Sequence, residues 1–188
     1  MAMYRKEFTK ALSLLAKISG EAKARGVPIP ILVGGAAVEL FTASEVVSAD
    51  FDLVAADQDQ ICEIMLDLGF ERYQAKQALV GYWVHKETEI VVEFVGSQLM
   101  DGHTNREYIQ LVKIDVENED GEILVIPIED LIADRLAQYQ SSPNDNSMLK
   151  QAQVLWNIAS ELDIDYITKR ISQEAPGLEW SELLGARQ

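Results

Sequence analysis

The stretch from Ile31 to Val54, ILVGGAAVELFTASEVVSADFDLV, limits the possible folds more than any other part of this chain. An apolar run, Ile31-Leu32-Val33, meets Gly34-Gly35, a helix-compatible segment follows from Ala36 to Phe41, and Asp50-Phe51-Asp52 comes just before Leu53-Val54. The pattern reads as strand, glycine turn, helix, and a second strand carrying two carboxylates. Side chains two apart on a strand share a face, so Asp50 and Asp52 are expected to project together, with Phe51 on the opposite side. Adjacent carboxylates repel unless a positive charge lies between them, and Mg²⁺, which prefers oxygen ligands and bridges carboxylates to phosphates, is the usual answer. Gly34 and Gly35 remove two Cβ atoms where strand becomes helix, which lets backbone N–H groups approach an anion. Together these features describe a seat for a metal-bound polyphosphate.

The rest of the chain supplies the layers around that motif. Phe8, Leu12, Leu15 and Ile18 recur at helical spacing between Tyr4 and Arg25, and Gly26-Val27-Pro28 stops the pattern. Asp57 caps a second helix that runs through Leu68. Strands are expected at Phe70 to Tyr73, Leu79 to His85 and Glu89 to Val95, the last two joined by the polar turn Lys86-Glu87-Thr88. Tyr108 to Val116 and Glu122 to Ile126 read as a hairpin turning at Asn118 to Gly121, and Pro127 opens a helix from Ile128 to Gln140. Two further helices, Met148 to Ser160 and Asp163 to Ser172, follow the polar loop Ser141 to Asn146. The expected class is α+β: a mixed sheet flanked by helices over residues 1–140, with residues 141–188 as a C-terminal helical appendage.

Glu93 interrupts the apolar run Ile90 to Val95. A glutamate there must be paired, metal-bound or on an edge, because burying a lone charge is costly. The competing reading is an outward residue of a half-exposed strand, sharing its parity with Glu89. Cys62 is the only cysteine, which excludes an intrachain disulfide, and it falls at an apolar helical position expected of a buried structural thiol. With one cysteine and two histidines, a zinc site is not expected.

A formal net charge of -15 repels a nucleic-acid backbone, so nucleic acid ranks below a protein or small-molecule partner. No stretch approaches the roughly 20 apolar residues of a membrane span, and the charged N-terminal segment lacks a signal-peptide core, so a cytoplasmic location is expected.

An apolar residue, Gly34-Gly35, a spacer, and Asp50-x-Asp52 on an apolar strand resemble the nucleotidyltransferase (polymerase-beta-like) superfamily. Within it, GGAAVELFTASEVVSADFDL is most similar to AbiEii-type and related uncharacterised bacterial nucleotidyltransferases, whose closing Ser-x-Asp-x-Asp is matched by Ser48, Asp50 and Asp52. Many relatives carry an arginine two residues before the serine, where this chain has Val46. The resemblance implies a nucleoside triphosphate (NTP) donor, two Mg²⁺ ions on Asp50 and Asp52, and Glu93 as third ligand or proton acceptor. It places Gly34, Gly35 and Ser48 against the phosphates. Arg135, in the helix after the catalytic sheet where a lysine is common, faces the nucleotide or pairs with an acidic neighbour. The polar loop Gly96 to Glu107 lies at the mouth of the site, and its His103 and Arg106 either contact the triphosphate or are solvated. The implied reaction moves a nucleoside monophosphate onto a hydroxyl of a protein or small molecule. The alternative is a decayed site on the same fold, acting by binding or as one partner of a toxin-antitoxin-like pair; Val46 favours it and the three carboxylates oppose it.

Overall fold

The computed structural model describes residues 4–73, 81–116 and 119–185. Seven strands form one mixed sheet: β1 (Ile31–Val33), β2 (Phe51–Val54), β3 (Phe70–Tyr73), β4 (Tyr82–His85), β5 (Val91–Gly96), β6 (Gln110–Val116) and β7 (Glu119–Val125). Their spatial order is β3-β4-β5-β2-β1-β7-β6, with β1 beside β7 and β2 beside β5 as the parallel pairs. The α+β class with a mixed sheet is therefore observed.

Alternation along the strands divides the sheet into two faces. Leu32, Phe51, Leu53, Val92, Ile123 and Val125 are buried on one of them. Helix α1 (Lys6–Arg25) covers this face, lying on β6 and β7, and α3 (Gln58–Asp67) packs beside it against α1 and β3. Phe8 of α1 stacks on Phe51 with ring centroids 5.5 Å apart. That contact turns Phe51 inward and, by the two-residue period, Asp52 outward.

The opposite face carries a row of directly paired residues. Val33 is in register with Asp52, Asp52 with Glu93, Glu93 with Tyr82, and Tyr82 with Tyr73. Helix α2 (Gly34–Phe41) leaves the end of β1 at one end of that row. Helices α4 (Ile128–Ser141), α5 (Ser147–Ile158) and α6 (Ile164–Glu174) pack together, α4 touching both others and α2 touching α4 and α5. A short α7 (Trp180–Leu184) closes the described chain against α5.

Three boundaries differ from the sequence expectation. Asp50 lies in a bend one residue before β2, so only Asp52 of the pair is on the strand. The last hairpin turns earlier than Asn118 to Gly121: Val116 pairs with Glu119 and Ile114 with Gly121, which places Gly121 inside β7. The loop Gly96 to Glu107 holds a kinked turn at Leu99–Gly102, with Met100 and Asp101 at positive φ, and leads into a 3₁₀ turn at Arg106–Tyr108. Leu79 and Asn118, used above in a strand and a turn, lie outside the described residues.

Candidate active site

Gly34 and Gly35 are needed here for a reason specific to their neighbours. Gly34 has φ +65°, and a Cβ built on it would overlap Asp52 Oδ2 and lie 2.8 Å from Asp52 Cγ. A Cβ on Gly35 would lie 2.7 Å from Ser48 Oγ. The missing side chains thus admit the aspartate and the serine, and the Gly35 backbone N–H donates to the Asp52 carboxylate. Ser48 Oγ donates to the Asp50 carbonyl at 2.9 Å, which ties the serine to the bend ahead of β2.

That bend is held from two helices at once. Arg5, at the start of α1, donates through Nε and Nη2 to Glu39 Oε1 and Oε2 at 2.6 and 2.9 Å, and through Nη2 to the Ser48 carbonyl at 2.6 Å. Glu39, on α2 and fully buried, also accepts the Ser48 N–H at 2.7 Å and the Ser44 hydroxyl at 2.9 Å. Burial pushes the Glu39 carboxyl up, and the bonds from Arg5, Ser48 and Ser44 outweigh it, leaving the group below the usual glutamate range. Neither Arg5 nor Glu39 stood out in the sequence. A lone glutamate in the apolar run AAVELF was the available signal for the second; the first is 34 residues distant from its partner.

Asp52 opens into a cleft of about 330 Å³ bordered by Gly34, Asp101, Asp134, Arg135 and Glu174. Its carboxyl is raised to about 6, first by burial and then by the charges of Asp50 and Glu93; Arg135 and the Gly35 N–H pull the other way. Asp50 and Glu93 flank Asp52 outside the lining of the cleft and act on it through their charge. Arg135 both lines the cleft and is engaged: it donates to Asp134 Oδ2 at 2.6 and 3.0 Å and to Gln151 at 3.3 Å. Glu174 reaches the cleft from α6, in a region where sequence patterning carried no functional signal.

No protein-family model matches the sequence, and no curated protein matches it significantly. Solved structures do match in shape. An antigenic nucleotidyltransferase-like protein from Paracoccidioides brasiliensis superposes with TM-score 0.58 over 98% of this chain and 95% of its own, at 14% identity. ANT(2'')-Ia in complex with adenylyl-2''-tobramycin gives TM-score 0.58 over 87% and 96%, at 13% identity. The chain has the nucleotidyltransferase fold. A solution structure of the antibiotic-resistance factor ANT(2'')-Ia agrees, with TM-score 0.57 over 87% and 91% at 12% identity. At such identities the likeness extends to the fold and leaves the chemistry to be argued from the site.

A nucleotidyltransferase fold implies a divalent cation at its carboxylates. The donors here are of the right kind, oxygens only, and Asp52 and Glu93 sit on adjacent parallel strands in register. Burial first, and then repulsion from Asp50 and Glu93, raise the Asp52 carboxyl, and a cation among these groups would oppose both. Among the described residues, however, no group of three or more His, Cys, Asp or Glu is drawn together into a ligand set. The donors fit a hard cation in type, and Asp52 and Glu93 are in register, but the described side chains are not gathered into a ligand set. Val46 packs against the core, and the guanidinium that reaches the Ser48 carbonyl is that of Arg5.

Proposed function

We propose that this protein is a metal-dependent nucleotidyltransferase that moves a nucleoside monophosphate from an NTP to a hydroxyl of a protein or small-molecule acceptor. The observation that carries the reading is the placement of Asp52, flanked by Asp50 and Glu93, against the Gly34-Gly35 turn at the edge of a cleft on this fold. Mg²⁺ ions held by Asp50, Asp52 and Glu93 would neutralise the triphosphate and acidify the acceptor hydroxyl. The chain's own groups do the rest. The N-terminal turn of α2 at Gly34-Gly35, with Ser48 and Arg135, orients the phosphates. The acceptor oxygen forms a bond to the α-phosphorus as the bond from that phosphorus to the α,β-bridging oxygen breaks. Pyrophosphate leaves, and the hydroxyl proton passes to Glu93. No described helix is long and apolar enough to cross a bilayer.

The second reading is a nucleotidyltransferase-fold binding protein with a decayed site, possessing a toxin-antitoxin-like or other regulatory role. Its specific support is the absence of a closed ligand set among the described residues, together with the Gly35 N–H being turned to Asp52 rather than left free for phosphate. Thermal unfolding with Mg²⁺ and each of ATP, GTP, CTP and UTP separates the two. For the enzyme, one nucleotide at about 100 times its dissociation constant adds about 2.7 kcal/mol, and the shift requires both the metal and intact Asp50 and Asp52. No shift with any nucleotide at millimolar concentration leaves the binding-protein reading in place.

A further inference from the structure

A second cavity, of about 400 Å³, lies on the open face of the sheet beyond the Asp52 cleft. The two share Val54, Gln98 and Leu99 as a common wall. Val54 follows Asp52 by two residues on β2, so its side chain stands on the same face about 7 Å further along. Its cross-strand partner Ile31 continues the floor. The second cavity is therefore the continuation of the groove that starts at the carboxylates.

Its lining differs in kind from that of the first. The Asp52 cleft is edged by Asp52, Asp101, Asp134 and Glu174 against the single cation Arg135. The further cavity is lined by apolar groups such as Ile31, Val54 and Leu99 and, to an equal extent, by polar ones such as Ser97, Gln98 and Thr104; among the described residues its one charged lining residue is Arg106. Arg106 takes part in none of the ion pairs among the described residues. An exposed guanidinium outside those ion pairs, at a cavity with no acidic lining residue among the described ones, would favour an anion-bearing ligand.

The backbone beneath Arg106 is well anchored. Thr104 Oγ1 donates to the buried Asp130 carboxylate at 3.0 Å, the Asn105 N–H donates to Tyr166 Oη at 3.0 Å, and Tyr108 stacks on Tyr166 with centroids 4.2 Å apart. The cavity wall is held by α4 and α6 and does not depend on the loop's own residues alone.

We infer that this cavity binds the acceptor, and that the acceptor is a compact molecule with a hydroxyl directed at the carboxylates and an anionic group paired with Arg106. The acceptor role rests on the nucleotidyl-transfer reading; the preference for an anion rests on the cavity alone. The probes are 4-hydroxyphenylacetate and its neutral amide, with binding followed by saturation-transfer NMR and calorimetry on wild type, Arg106→Ala and Ala56→Trp, the last placing an indole in the cavity. The acid binds wild type about tenfold more tightly than the amide. Arg106→Ala binds the two alike, Ala56→Trp binds neither, and both variants keep whatever thermal shift wild type shows with Mg²⁺ and NTP. An acid preference that survives in Arg106→Ala, or no binding of either probe to wild type, overturns the cavity assignment. Loss of the nucleotide shift in either variant also overturns it, since the cavity would then belong to the donor. If wild type itself shows no nucleotide shift, the transfer reading and the acceptor role fail, while the acid-to-amide ratio still decides the anion site.

Discussion

At Gly34 two independent constraints meet in one residue. Its φ of +65° disfavours any L side chain, and the space a Cβ would take is filled by the Asp52 carboxylate. Gly34→Ala is expected to cost about 2 kcal/mol or more in urea denaturation. Adding Asp52→Gly recovers only the overlap part, because the backbone term remains. Asp52 carries its own signature. Its folded-state carboxyl, at about 6, lies above the ordinary aspartate value, so the folded protein holds that proton more tightly than the unfolded chain does. Stability is consequently lost as pH rises from about 4 through about 6 and stays lost above. Asp52→Asn removes this penalty. It should stabilise the metal-free protein at pH 8 by about 1 to 2 kcal/mol, after discounting the full shift for partial solvent screening, and change little at pH 4. Denaturation at the two pH values checks it; equal effects at both would assign the change to packing.

Among the elements, α1 and α2 are joined by an ion pair that bears directly on the site. Arg5→Ala leaves the fully buried Glu39 without its cation, an expected loss of about 3 kcal/mol at neutral pH. The pH dependence should reverse with it. In wild type, Glu39 lies below its usual range, so its contribution is present above the ordinary glutamate pKa and lost as pH falls through the lower folded value. In Arg5→Ala burial dominates, the carboxyl moves up, and acidification to about pH 5 should recover stability; denaturation against pH on both proteins decides this. A second pair, Arg170 Nε to Asp130 Oδ1 at 2.6 Å with both side chains fully buried, joins α6 to α4, and Tyr166 adds a 2.6 Å bond to the same carboxylate. Arg170→Met is expected to destabilise by about 3 to 5 kcal/mol, because the buried Asp130 carboxyl loses its main partner, whereas the double change to Met and Leu at 170 and 130 should recover part of that loss. A double-mutant cycle measures the coupling.

For the whole molecule, charge sets solution behaviour more than any one contact does. At a net charge of -15 the folded chain repels itself, and raising NaCl from about 0.02 M to about 0.3 M should raise the unfolding temperature by a few degrees by screening that repulsion. A fall in calorimetry would mean that attractive pairs dominate. The buried pairs Arg5–Glu39 and Arg170–Asp130 are screened least and set the lower bound of that response.

The elements were legible in the chain because their signals are local. Helical spacing of Phe8, Leu12, Leu15 and Ile18, Asp57 as a cap, and Pro127 ahead of α4 each act within a few residues, and α1, α3 and α4 lie where these place them. The two-residue strand period put Phe51 and Asp52 on opposite faces, and the contact of Phe51 with Phe8 agrees. What the sequence could not determine is which distant groups complete a local motif. Arg5 beside Ser48, Glu174 at the cleft, and Arg106 over a second cavity depend on how helices and loop settle on the sheet. Asp50 left the strand because Ser48 Oγ claims its carbonyl inside a bend held by Arg5 and Glu39, an arrangement that only packing produces. Periodicity and turn chemistry are properties of neighbours along the chain, whereas a buried charge finds its partner through space, so the frame of this protein was written locally and its electrostatics were decided by the tertiary fold.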